Sequence, residues 1–363
     1  MENERSSSPS SKDDENPSKP SNREDCNDHD DMVIIQRVEI REEDIEVHLG
    51  CPPNFSGPYV SHFTFPFPPS VFDAEVKNQS VVVNVQEKLP CQMMNLDEDG
   101  DLVLPRRTKQ SNNVRMTIQH SITSSIPSVG LQVWKAELVL ADFLLHSMFS
   151  SSDFDGVVAV ELGAGTGLLG ILLARVAKTV FLTEVLKNCA LNVHLNSEIF
   201  KEHATSVFVR EVDWINSWPP EVEQCHSSDE SFSWTPLEIG EAEGVSLLLA
   251  ADVIYNDDLT DVLFGTLQKL MSRGSTKVLY LALEKRYNFS LNDLDVVANG
   301  YSRFKSYLKD DTEYSSLKNS KLPRFVGKLI NLTDIPQYVR EYDRGNDVEI
   351  WQIRYISPCN STS

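Results

Sequence analysis

The chain has 363 residues, 40% of them apolar, and a formal net charge of −21, a length that gives a prior of about two domains and a composition that supplies one core with residues left for tails. The negative field repels a nucleic-acid backbone and favours a lysine-rich protein as partner, so no direct nucleic-acid binding is expected. No apolar run approaches the ~18 residues of a membrane span, and Cys26, Cys51, Cys91, Cys189, Cys225 and Cys359 show no C-x-x-C spacing, which argues for free thiols in a reducing compartment and against a metal site.

Residues 1–31 are rich in Ser, Asp, Glu, Asn and Pro. They hold too few apolar side chains to offset their ordering entropy and read as a disordered acidic tail, unlike a signal peptide. Residues 32–119 read as a β-rich extension. Within it "MVIIQRVEI" and "SVVVNVQ" have strand composition, and "CPPNFSGPYV" and "FPFPPS" read as extended, Pro-punctuated connections.

From residue 120 onward strand and helix patterns alternate. "KAELVLADFLLHSM" has helical spacing, "GVVAVEL" is an apolar strand, and "LLGILLARVA" is a helix. The strand "TVFLTE" leads into the helix "LKNCALNVHLNSEIF", followed by the strand "TSVFVREVDW". Residues 216–244 are acidic, with Ser, Pro and Trp, and read as a surface insertion. "VSLLLAADVIY" is the most apolar strand; "DLTDVLFGTLQKLMSRG" is a helix stopped by a glycine cap. The strand "TKVLYLALEKR", the helix "NDLDVVANGYSRFKSYLK" and the strands "RFVGKLINL" and "DVEIWQIRYI" complete the pattern. The sum is an α/β, Rossmann-like, seven-stranded and mostly parallel sheet over residues 120–363, with helices on both faces and its last two strands placed to pair antiparallel.

The most informative stretch is "VAVELGAGTGLLGILLARV", from Val158 to Val176. In an open parallel sheet a ligand sits at the carboxyl ends of the strands, and glycines there let the backbone approach it. Gly163, Gly165 and Gly167 occupy the first, third and fifth positions, whereas the dinucleotide fingerprint needs the sixth, which is Leu168. No Gly-Lys-Ser/Thr follows, so this is no P-loop. Glu184, at the end of the next strand, is placed to accept bonds from ribose hydroxyls. Glu161, directly before the glycines, would repel a pyrophosphate and suit an ammonium. S-adenosylmethionine combines an unphosphorylated adenosine, a sulfonium and an ammonium, and it is the cofactor these residues favour. A nicotinamide-dependent oxidoreductase needs the sixth-position glycine and a hydride-side acid, and the sequence offers no good candidate for either.

A second constellation is "LLLAADVIYND", where Asp252 and Tyr255 surface at the mouth of a buried strand. A lysine amine, with a reference pKa of about 10.4, needs its neutral form to attack a methyl group. Asp252 could hold and orient it, and Tyr255 could wall its pocket. The alternative for Asp252 is a helix N-cap. Val253 and Ile254 stand where base-methylating enzymes carry two prolines, which weakens a nucleic-acid reading.

On "VELGAGTGLLG", "DW", "ADVIY" and "LQVWKAELVLADFL", the sequence resembles the seven-strand protein-lysine methyltransferases of the methyltransferase-like group, over about Val133 to Ile356. That resemblance implies methyl transfer from S-adenosylmethionine to the ε-amine of a lysine in a non-histone protein with a basic target region, chaperones among the candidates, by a monomer in the nucleus or cytoplasm. It implies cofactor contacts from Trp134, Glu161, Gly163, Ala164, Gly165, Gly167, Glu184, Asp213, Trp214 and Ala251, with Trp214 stacking on adenine. Asp252 and Tyr255 would face the target lysine, and Glu284 in "ALEKR" would lie near the substrate. Lys135 departs from the small residue or Pro usual after "VW", which leaves the start of that helix open. A small-molecule or nucleic-acid methyltransferase and a non-catalytic binding protein of the same fold are the rival readings.

Overall fold

A computed structural model describes residues 58–67, 112–122, 126–183, 186–201, 203–216, 218–220, 232–290, 295–309, 324–340 and 342–357. All lie within one compact unit, Ile45–Ser363. The acidic tail, the strands expected at "MVIIQRVEI" and "SVVVNVQ", and Glu184 fall outside the described residues.

The central sheet follows from short, continuous apolar runs that are buried on both faces. Its strands are β3 (Val158–Leu162), β4 (Thr179–Thr183), β5 (Ser206–Arg210), β6 (Leu247–Ala251), β7 (Val278–Glu284), β10 (Leu308–Lys309), β11 (Arg324–Leu329) and β12 (Val348–Ile356). The order is β10-β11-β12-β7-β6-β3-β4-β5. Pairing is parallel from β5 through β7, while β12 runs antiparallel to both β7 and β11. The seven expected strands are there, and the two-residue β10 extends the edge.

Alternate side chains feed two cores. Ala159, Val180, Leu182, Leu247, Leu249 and Ala282 enter one; Val160, Phe181, Leu248, Ala250, Leu279 and Leu281 enter the other. Against the first face pack α1 (Lys135–Ser150), α2 (Leu168–Leu173) and α3 (Leu186–Leu195). Against the second pack α5 (Pro236–Glu243), α6 (Asp257–Met271) and α7 (Asn299–Tyr307). A short α4 (Glu198–Lys201) follows α3. Sheets buried on both faces need such continuous apolar runs.

Three helices differ from the sequence reading. The helix expected over "LLGILLARVA" ends at Leu173, because Arg175 and Val176 donate to Leu172 and Leu173 in tightened three-residue turns. The single helix expected over "LKNCALNVHLNSEIF" is broken at Asn196 and Ser197. The Asn196 side chain donates to the Asn192 carbonyl and so competes with the helix ladder. The helix expected from residue 292 starts only at Asn299; β-branched "DVV" instead forms β9 (Asp295–Val297), antiparallel to β8 (Asn288–Ser290).

The expected surface insertion is in part core. Trp218 and Trp234 are buried, in edge contact at 5.4 Å between ring centres, and Trp234 stacks on Phe181. Their sequence neighbours are polar, which hid the anchor. Thr235 caps α5, with Pro236 at its first position.

The described part of the extension is a two-stranded antiparallel ribbon. β1 (Tyr59–Phe67) pairs antiparallel with β2 (Asn112–His120). Strand structure therefore continues into "FPF", which had read as a connection; Pro66 is tolerated because, among the described residues, each strand of the two-stranded ribbon is an edge strand. Phe63, Phe65, Met116 and Ile118 join the core of α1 and α2. The β2 backbone is held by two asparagines one turn apart on α3 and just beyond it. Asn192 accepts from Gln119 N–H and donates to its carbonyl; Asn196 does the same for Thr117, at 2.7–3.0 Å. Residues 117 and 119 point their backbone the same way, so a helical spacing of four meets a strand spacing of two.

Candidate functional site

The strand order reverses beside β3. Chain connection moves from β3 to β4 and β5 on one side, then crosses back to β6 on the other, which places a crevice at the carboxyl ends of β3 and β6. There Gly163, Ala164, Gly165, Glu161, Ala251, Asp252, Val253 and Tyr255 line a cleft together with Trp134, Glu137, Trp214 and Arg286. Val129, Gly130 and Gln132 close its remaining wall, and the space between atoms is about 610 Å³ including the open mouth.

The turn after β3 needs its glycines. Gly163, Gly165 and Gly167 have φ of +69°, +52° and +82°, the left-handed region in which a side chain is strained. A Cβ on Gly165 would also stand 3.0 Å from the Gly130 carbonyl oxygen. Gly167 serves the fold instead: it starts α2, and a Cβ there would meet the Cys189 sulfur at 2.8 Å. It is absent from the cleft wall.

Two carboxyls are buried at the floor. Glu161 accepts from the Gly170 N–H at 2.8 Å. Glu137, on the first turn of α1, accepts from the Thr166 hydroxyl at 3.0 Å and from the Trp134 N–H at 3.4 Å. Burial pushes the Glu137 carboxyl up to about 8, opposed by those hydrogen bonds. Burial and the neighbouring Glu137 push Glu161 well above the usual carboxylate range. Among the described residues no ion pair reaches either carboxyl.

The second wall is built on strain. Asp252 follows β6 at φ +55°, a conformation Asp adopts more readily than most residues. Its N–H donates to the Ala282 carbonyl on β7 at 2.8 Å, fixing the turn against that strand. Its side chain, 1% exposed, faces the Arg286 guanidinium at 2.8 Å and accepts from the Glu284 N–H at 3.3 Å. Burial raises the Asp252 carboxyl, and Arg286 opposes that. Asn256, not Asp252, caps the following helix α6. Arg286 also lies over the Trp134 ring, 4.4 Å from its centre, and the Trp134 indole N–H is anchored on the Val129 carbonyl at 2.9 Å.

The structure thus gathers Trp134, Glu161, Gly163, Ala164, Gly165, Trp214, Ala251, Asp252 and Tyr255 around one cleft. Asp213 lies outside the wall, its carboxylate engaged with the Ile215 N–H and the Asn216 amide at 2.9 Å. The Glu284 side chain turns to Lys135 at 2.6 Å, which also settles the start of α1: the unusual Lys135 is its first residue. Glu137 and Arg286 escaped sequence reasoning. The spacing of Glu137 three residues after Trp134 is a helix-start signal that hid its second role. Arg286 sat in an apparently ordinary Glu-Lys-Arg turn.

The lining chemistry decides what ligand fits. It holds three carboxyls and one arginine, and that arginine is already paired, so a pyrophosphate finds no free cation among the described residues. The Trp214 indole N–H is buried without a hydrogen-bond partner among the described residues, and its side chain forms part of the cleft wall.

Comparison with known proteins gives the same direction. A family profile described as lysine methyltransferase matches residues 110–232 and 226–298. Human methyltransferase-like protein 22 is 36% identical over 266 residues, which cover 72% of this chain and 62% of that protein. Mouse protein N-lysine methyltransferase METTL21A is 31% identical over 196 residues, 53% of this chain and 78% of the relative. Protein-lysine N-methyltransferase rrg1 of Schizosaccharomyces pombe is 26% identical over 212 residues, covering 56% and 63%. The match therefore spans less than two thirds of the length of methyltransferase-like protein 22.

Proposed function

The chain belongs to the lysine methyltransferase family, and from that premise we propose that it transfers a methyl group from S-adenosylmethionine to the ε-amine of a lysine in a protein substrate. The observation that carries this reading is the cleft floor: two buried carboxyls without a counter-cation among the described residues, beside a bare glycine turn. Such a floor suits an ammonium and a sulfonium and refuses a phosphate.

In this reading Glu161 and Glu137 receive the amino group of the cofactor, and Gly163, Ala164 and Gly165 line its methionine end. Trp214 stacks on adenine, and Ala251 approaches by its backbone. Glu184 takes the ribose hydroxyls, Asp213 stands near the exocyclic amine, and Trp134 closes the wall. Bound there, S-adenosylmethionine supplies an electrophilic methyl group. Asp252 and Tyr255 orient the target amine at the open mouth, where Tyr255 is 40% exposed, and Glu284 shapes the approach. Gly167 keeps the turn in place. The charge of −21 favours a substrate with a basic target region. Among the described residues no helix is long and apolar enough to cross a membrane, and we place the enzyme's work in the nucleus or cytoplasm.

The test is incubation with methyl-labelled S-adenosylmethionine and a cell extract, beside an Asp252→Ala variant. A protein band labelled by the wild type alone supports the reading. Label confined to nucleic acid or small molecules overturns it in favour of another methyltransferase class. Intact cofactor binding without any label favours a non-catalytic protein.

A further inference from the structure

We propose that Arg286 is a positioning residue that keeps the target amine in its neutral, reactive form; this rests on the methyltransferase reading. A buried carboxylate alone at the mouth would be a poor partner for this reaction. It would hold an incoming lysine as an ammonium and retain the proton that hides the lone pair. The geometry removes that difficulty. The Arg286 guanidinium lies 2.8 Å from the Asp252 carboxylate and offsets its charge, while its own open face adds a positive field at the mouth.

Arg286 is held in place on two sides, by Asp252 and by the Trp134 ring, and Trp134 is itself tied to the Val129 carbonyl. Its attachment point follows β7, where the Lys285 N–H donates to the Asp347 carbonyl at 2.8 Å. One face of the side chain stays open to the cleft, at 34% exposure. The other charged or titratable groups around Asp252 are Glu284 beyond β7, Lys135 and Glu137 on α1, Glu161 at the end of β3, and Tyr255 at the mouth. Glu284 is paired with Lys135 at 2.6 Å, and Glu137 and Glu161 face the seat assigned to the cofactor's ammonium. Arg286 is therefore the cation that sets the field at the amine. The ammonium proton leaves to bulk water through the open mouth.

The experiment measures the initial rate of label transfer into extract protein against pH for the wild type, Arg286→Gln and Arg286→Lys. Folding of each is checked by calorimetric binding of S-adenosylhomocysteine. Arg286→Gln is expected to move the midpoint of the rate profile about one unit alkaline, with about a tenfold loss near pH 7 that high pH restores. Arg286→Lys, which keeps the charge, is expected to return the midpoint towards wild type. An unchanged midpoint in Arg286→Gln overturns the proposal while leaving the methyltransferase reading standing. A faster Arg286→Gln at every pH also overturns it, showing a side chain that merely blocks the amine. No label from the wild type overturns the underlying reading and this proposal with it.

Discussion

Replacing Glu137 with Gln should stabilise the ligand-free protein while weakening its hold on a cationic ligand. The Glu137 carboxyl titrates near 8 in the fold against 4.5 for an ordinary glutamate. Between those values the folded form keeps a proton that the unfolded form has lost, so stability falls as pH rises through that window. Each unit is worth about 1.4 kcal/mol, which makes the cost about 3 kcal/mol near pH 7 and close to zero near pH 4. Glutamine removes the titration. Its amide can donate to the Thr166 hydroxyl and its oxygen can accept from the Trp134 N–H, in place of the two carboxyl oxygens. Urea unfolding across pH reads the effect. Glu137→Gln is expected to gain up to about 3 kcal/mol near pH 7, with a flatter pH dependence; Glu161 adds a residual slope of the same sign. Calorimetry is expected to show that the wild type releases protons on binding S-adenosylmethionine below about pH 8 and that the variant releases fewer. A variant no more stable than wild type near pH 7, with the same pH slope, would refute the claim that Glu137 is a buried, cation-seeking carboxyl.

Other substitutions test the scaffold and the chemistry separately. Asn192→Ala removes one acceptor and two donors buried between α3, β2 and the Thr166 carbonyl; urea unfolding should show a loss of about 3 kcal/mol. Gly165→Ala combines a left-handed φ with a Cβ 3.0 Å from the Gly130 carbonyl oxygen, and calorimetry should find S-adenosylhomocysteine binding lost while the far-ultraviolet spectrum is kept. Trp214→Ala should weaken that binding by about 1–3 kcal/mol, the usual worth of a base stacked on an aromatic ring. Asp252→Asn should lower the transfer rate about 10²-fold by misplacing the amine, measured as label incorporated into protein.

The parallel core of the fold was legible because it depends on local signals: apolar strands alternating with helices, and glycines at one strand end. The cleft lining was legible for the same reason, since Glu161, Gly163, Gly165 and Asp252 each sit at a strand terminus, where topology alone predicts a ligand. What escaped depended on distant partners. Arg286 acquires its place through Asp252, 34 residues away, and the Trp134 ring, and the Glu137 carboxyl through Thr166, 29 residues away, besides its neighbour Trp134. The buried tryptophans of the polar insertion needed Phe181 as a partner. The break after α3 needed the β2 backbone, which engages Asn196 across 79 residues.

The most direct test of the central claim is amino-acid analysis of protein labelled by the purified wild-type chain with methyl-labelled S-adenosylmethionine. The account predicts that the label is recovered as methyl-lysine and is absent with Asp252→Ala. Label recovered on any other amino acid, or equal label from the variant, would contradict it.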